Sequence, residues 1–262
     1  MSKWIVLMNK EFNQMVRDFR IIWLPITFMF LGATQPLVNY YLPSILKALG
    51  GSQGITIDPN MAQLEGGEVL ASTLASQFDQ LGIMILVMAI MGIIQTDKSN
   101  GMLAFILTRP VAVSSYIASK IVANYLLVAF SIAVGYFTSN IYVNYLYSSV
   151  PFSHAMIGFI FYLVWALFIV IFTTLISTIF KSQGVIALIS IGTLLGCRLV
   201  IGLSPIVDLV NPAVMSKYAI EYLSNGVSYS NILSGSLFTF AWLFVILITI
   251  HYWIYNKKFI IE

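Results

Sequence analysis

The chain has 262 residues, of which 59% are hydrophobic and only 9% are Asp, Glu, Lys or Arg, and its formal net charge is +3. Soluble domains carry about 25% charged residues, so this composition excludes a water-soluble enzyme, and a mean hydropathy of +0.91 agrees. No Asp, Glu, Lys or Arg occurs over 21–46, 80–96, 121–180 or 222–256, and a membrane crossing needs roughly 20 mainly apolar residues. The predicted fold class is an all-α polytopic membrane protein with six transmembrane helices.

Residues 1–20 read as an amphipathic helix. Trp4, Met8, Phe12, Met15 and Phe19 recur at spacings of four and three, with Lys10, Glu11, Arg17, Asp18 and Arg20 around them. Such a helix lies in the membrane interface or docks on its own protein, and both readings stand. The membrane domain follows over 21–256, with spans expected at 21–42, 78–96, 116–137, 155–180, 184–203 and 236–255, and residues 257–262 form a short tail. Pro25 and Pro36 lie in the first span, where prolines are tolerated. Pro43 to Gln77 reads as a polar segment with room for short helices. Asp97 to Ser115 holds an apolar patch too short to cross, bracketed by Lys98 and Arg109 and ended by Pro110.

The uncharged run from Ile121 to Phe180 is too long for one helix and divides at Thr138–His154. The fifth span is the least regular, because Arg198 lies near its end. Arg198 either snorkels to the far surface or pairs with Asp208, which leaves five-span and re-entrant readings open. Residues 204–235 are part loop and part apolar. Basic residues concentrate in cytoplasmic loops. Cytoplasmic termini place ten bases inside and three (Lys47, Arg198 and Lys217) outside.

No residue set for autonomous chemistry emerges. His154 and His251 lie in different regions, Cys197 is the single cysteine, and no phosphate-binding loop of the G-x-x-x-x-G-K-[ST] type occurs. Zinc and serine hydrolysis are disfavoured, no cofactor or metal is expected, and ATP is not hydrolysed by this chain. Asp79 and Asp97 are expected at the two edges of the second span, with the deep positions nearly free of acids. That pattern counts against an ion-coupled carrier.

KEFNQMVRDFR (Lys10–Arg20) and DKSNGMLAFILTRPVAVSSYIASK (Asp97–Lys120) carry a resemblance. They look like the N-terminal elbow helix and the segment between the second and third spans of ABC-2 type permeases, the membrane subunits of many bacterial ABC exporters. Asp97, Gly101, Leu107, Arg109, Pro110, Tyr116 and Lys120 match the family pattern. The six-span layout matches as well. The resemblance implies a coupling helix with Asn100, Gly101, Leu103, Phe105, Ile106, Leu107 and Arg109, seated in a groove of a cytoplasmic ABC ATPase. It also implies an interfacial helix with Trp4, Phe12, Arg17, Asp18 and Phe19, exposed to membrane lipids and the same ATPase.

The implied working unit has two ATPase copies, which hold the ATP and Mg, and a second permease chain, same or homologous. Spans one, two and five are the implied candidates for the dimer seam and the substrate path. Localisation follows as the cell membrane, with both termini cytoplasmic. Trp23, Phe28, Phe30, Phe159 and Trp165 suit either an amphipathic, peptide-like substrate or plain packing. An autonomous carrier or channel, and a non-transporting immunity or scaffold protein, remain the alternatives.

Overall fold

A computed structural model describes residues 3–50, 64–103, 112–226 and 232–256, and every regular element among them is helical. In chain order they are α1 (Lys3–Arg17), α2 (Arg20–Gly50), α3 (Gly66–Ser72), a π-helical stretch (Thr73–Gly82), α4 (Ile83–Ile90) and α5 (Gln95–Ser99). After these come α6 (Val113–Leu146), α7 (Phe152–Ile179), α8 (Gln183–Leu199), α9 (Pro205–Val210), α10 (Val214–Asn225) and α11 (Ile232–Asn256). Five helical runs are long and apolar enough to cross a membrane: Arg20–Ile45, Gly66–Ser99, α6, α7 and α11.

The fifth expected span is α8, with 17 residues. At 1.5 Å per residue it is about 25 Å long, short of the roughly 30 Å hydrocarbon core. Five long apolar helices and one shorter one are therefore what the described residues contain. The expected second span, 78–96, lies inside the longer run Gly66–Ser99.

That run starts early because its glycines permit close backbone contact. A Cβ on Gly66 would stand 2.1 Å from the carbonyl oxygen of Ser148, and one on Gly67 would stand 2.3 Å from that of Leu223. Any side chain there would push α3 off α6 and α10. The same device sets the α2–α6 crossing. A Cβ on Gly32 would meet the Gly135 carbonyl oxygen at 2.0 Å, and one on Gly135 would meet that of Phe28 at 2.4 Å. Small residues let helix backbones approach where no water-driven force holds them together. Phe28 then meets Phe78 edge to face, centroids 5.3 Å apart, a pair geometry that adds about 0.5–1.5 kcal/mol beyond burial.

The second run is irregular twice. The π-helical stretch carries Asp79, and turns at Met91–Ile94 separate α4 from α5. The second break leaves backbone groups without helical partners, and Ser177 of α7 takes them up. Its Oγ donates to the Met91 carbonyl at 2.9 Å and accepts from the Ile94 and Gln95 N–H groups at 3.2 and 3.0 Å. Buried backbone groups must be paired, so a fully buried serine here is structural.

Beyond α8 the chain folds back into the bundle. Pro205 opens α9, and Gly226 closes α10 in the left-handed conformation at φ 63°. α10 buries Val214, Met215, Tyr218, Ala219 and Leu223 against its neighbours. Trp242 of α11 donates its indole N–H to the Val210 carbonyl at 3.0 Å, pinning the end of α9.

Candidate functional site

Among the described residues, two clusters bring buried charged side chains into the apolar bundle. The first joins α1, α5 and α6. Lys120 Nζ lies 3.1 Å from Glu11 Oε1 and 3.0 Å from Asp97 Oδ2, and the Tyr116 hydroxyl donates to Asp97 Oδ2 at 2.8 Å. Lys10 adds its charge at 3.7 Å from Asp97 and 3.8 Å from Glu11. Glu11, Asp97, Tyr116 and Lys120 are all buried. One ammonium thus holds two carboxylates, with a phenol and the buried Lys10 ammonium sharing the surplus negative charge. Lys98 extends the tie to α7, donating to the Thr178 and Phe180 carbonyls at 3.0 and 2.7 Å.

The outward side of this cluster is a groove of about 940 Å³ between α1 and α5, lined by Asn13, Arg17, Asp18, Asn100 and Met102 among others. α1 docks through Glu11 and Met15, while Trp4, Ile5, Val6 and Val16 stay exposed. Both readings of this helix thus hold part of the sequence: one face packs on the protein and another apolar strip is free. Phe19 turns the chain between α1 and α2 with φ 55°, a left-handed geometry that L side chains rarely adopt, and its ring is exposed. Arg20 spans that corner, bonding Asp18 at 2.9 Å and the Ala89 carbonyl at 3.2 Å.

The residues expected to couple to an ATPase divide. Asn100 ends α5, and Gly101 reverses the chain at φ 67°. Met102 is exposed, whereas Leu103 is fully buried. Leu103 therefore anchors the segment to the bundle. Phe105, Ile106, Leu107 and Arg109 lie outside the described residues. Trp4, Arg17, Asp18 and Phe19 of the expected interfacial set are exposed, and Phe12 is half-buried.

The second cluster joins the π-helical stretch to α8 and α10. Asp79, with no exposed surface, receives hydrogen bonds from Arg198 of α8 and Ser216 of α10 through one oxygen, Oδ2. This corrects two expectations. Asp79 lies 13 residues inside the run that starts at Gly66 and is fully buried, so it is not at the head of that run. Arg198 pairs with Asp79, and Asp208 pairs with Lys217 instead, at 2.8 Å. The neutralising arginine explains how a carboxylate tolerates this place. No spacing could reveal the pair, because its members are 119 residues apart.

In the segment between α8 and α11, burial pushes the Asp208 carboxyl up. The Gly202 N–H and the Lys217 ammonium outweigh it and hold Asp208 below the usual carboxylate range. The hydrogen bond to Asp208 raises Lys217 in turn, against its own burial.

Five aromatics that could have formed a substrate path do not share one. Phe28, Phe159 and Trp165 are core side chains, while Trp23 and Phe30 are exposed. His154 packs against Tyr222 and His251 against Tyr255. Among the described residues no group of three His, Cys, Asp or Glu is placed to hold a metal.

Residues 5–258 match the family described as "ABC-2 family transporter protein". The chain is also 34% identical over 226 residues to the uncharacterized transmembrane protein YxlG of Bacillus subtilis (strain 168), covering 86% of this chain and 87% of that one. Family membership makes the chain a polytopic permease-type membrane protein and is consistent with a transport role. With nearly the whole chain matched and its long apolar helices in place, the protein belongs to the ABC-2 family of transporter membrane proteins.

Proposed function

We propose that this chain is the membrane half of an ATP-driven exporter, and that a separate cytoplasmic ATPase seats in the groove between α1 and α5. The observation that carries the reading is the buried Glu11–Asp97–Lys120–Tyr116 network behind that groove. A partner pressing on α1 or α5 acts on side chains already locked to α6, and through Lys98 to α7. Motion at the groove therefore reaches the bundle instead of being lost in loop flexibility. The excess of bases at this end supports placing it in the cytoplasm.

Residues 1–20 form the interfacial helix in this reading, with Trp4, Ile5 and Phe19 toward lipid. The segment from Asn100 to Arg109 is the coupling element, with Phe105, Ile106 and Leu107 as its apolar contact. Two permease chains and two ATPases complete the assembly. α8 suits the seam between permeases: Leu188 and Leu199 are exposed, and a Cβ on Gly192 or Gly196 would meet nothing within 4 Å. The mechanism is mechanical. ATP closes the ATPase pair, the grooves move together, and the path between the two membrane halves opens or is squeezed.

The buried Asp79 favours a second reading, an autonomous ion-coupled carrier. Its carboxylate is already matched by Arg198, however, and a fixed ion pair is a poor site for a cycling proton or sodium ion. A mild-detergent pull-down from the native membrane separates the two. A stoichiometric cytoplasmic ATPase, lost when Phe105 and Leu107 are both made charged, supports the exporter. Flux by this chain alone in vesicles supports the carrier.

A further inference from the structure

A polar cavity of about 270 Å³ adjoins the groove between α1 and α5, sharing Gln14, Asp18 and Thr96 with it, and is lined further by Glu11, Lys120 and Asn124 with Arg20 and Gln183. Arg20 is the first residue of α2 and Gln183 the first of α8. The cavity thus sits at the level where apolar helices begin, the depth of lipid headgroups. Met88 and Met91 add apolar surface to its wall.

Two of its polar atoms are buried and have no hydrogen-bond partner: Asn124 Oδ1 and Arg20 Nε. Asn124 is only 2% exposed. Its amide cannot be reversed to hide the problem, because Nδ2 already donates to the Lys120 carbonyl at 2.9 Å. Unsatisfied buried groups are costly. A ligand that fits would offer a donor to Asn124 Oδ1 and an acceptor to Arg20 Nε.

The charges narrow the ligand further. The lining acids Glu11 and Asp18 are paired to the lining bases Lys120 and Arg20. A ligand of net charge would enter with nothing to offset it. A zwitterion with an N–H-bearing cation and an anionic oxygen would be matched at both ends.

We propose that this cavity binds a phosphoethanolamine-type zwitterion, its ammonium donating to Asn124 Oδ1 beside Glu11 and its phosphate accepting from Arg20 Nε. A quaternary choline headgroup has no N–H for Asn124, and an anionic glycerol headgroup has no cation. The site is independent of the exporter reading: it requires only the bundle described above.

The test uses the full-length chain in micelles doped with phosphatidylethanolamine, phosphatidylcholine or phosphatidylglycerol, with bound lipid counted by native mass spectrometry. Phosphatidylethanolamine should be retained over the other two by about tenfold, the value of one charge-assisted hydrogen bond at its lower end. Asn124→Leu should erase that preference and Asn124→Asp should keep it. The Asp variant shows that loss in Leu comes from the missing acceptor and not from misfolding. Competition by soluble O-phosphoethanolamine would assign the site to a free zwitterion, and failure to compete would assign it to the lipid. Equal retention of all three lipids means that water alone fills the cavity and overturns the proposal. So does a preference for phosphatidylglycerol, or a preference that survives Asn124→Leu.

Discussion

Replacing Lys120 with Met asks how much the fold depends on the α1–α5–α6 network. Among the described residues Lys120 Nζ alone lies within 3.1 Å of both the Glu11 and the Asp97 carboxylates, and all three are buried. Met fills similar volume without the charge. It leaves two buried carboxylates with Lys10 at 3.7–3.8 Å and the Tyr116 hydroxyl on Asp97 to answer them. Breaking a buried pair on one side costs about 3–5 kcal/mol, because the remaining charge is stranded. Removing the stranded charges as well should recover much of that loss. A Glu11→Gln, Asp97→Asn, Lys120→Met triple variant should therefore be more stable than Lys120→Met alone. Reversible unfolding in mixed micelles at increasing dodecyl sulfate gives both numbers. A cost below about 1 kcal/mol for Lys120→Met would mean that the network behaves as a solvated surface pair, and its role as a rigid floor would be wrong.

Three further outcomes follow from other parts of the fold. Asp79→Asn should destabilise by about 3–5 kcal/mol because it strands Arg198, and adding Arg198→Gln should return part of that loss in the same unfolding assay. Gly135→Ala should cost at least about 1–3 kcal/mol, since its Cβ would meet the Phe28 carbonyl oxygen at 2.4 Å, whereas Gly192→Ala meets nothing within 4 Å and should stay within about 0.5 kcal/mol of the parent. The Asp208–Lys217 pair should contribute no more than about 1 kcal/mol, with a defined pH window. Asp208 is lowered, so its share is present above the unfolded value of 3.8 and is lost as pH falls through the folded one. Lys217 is raised, so its share is full below 10.5 and is lost as pH rises through the folded value. The stability difference between wild type and Lys217→Met should be flat around neutral pH and shrink as pH falls through the folded value of Asp208 or rises through that of Lys217.

Charge-free runs made the membrane character and most long helices legible from the residues alone, because a bilayer forbids exposed charge over a fixed length. Asp97, Tyr116 and Lys120 were visible only through the family resemblance; the structure supplies their physical reason in the shared ion pair and phenol hydrogen bond. Glu11 was read as part of the polar surface of α1. It lies four residues before Met15, on the buried side of that helix, and this spacing was the available signal. The early start of the second run was hidden because Gly66 and Gly67 look like loop residues. Their purpose is backbone contact with Ser148 and Leu223, which no local pattern records. Asp79 with Arg198, and Ser177 with the Met91–Ile94 break, are pairings across the bundle. Sequence periodicity describes one helix at a time, so neither could be read from it.

The central claim is that a separate ATPase occupies the groove between α1 and α5. Its most direct test is site-directed cross-linking in native membranes, with Cys197→Ser as background and single cysteines placed by Asn13→Cys, Asn100→Cys and, on α8, Leu199→Cys. Asn13→Cys and Asn100→Cys should cross-link to a cytoplasmic nucleotide-binding protein with a yield that changes when ATP is added, while Leu199→Cys should cross-link to a second permease chain. Groove cysteines that capture no such protein, in a chain that still moves its substrate unaided in vesicles, would contradict the account.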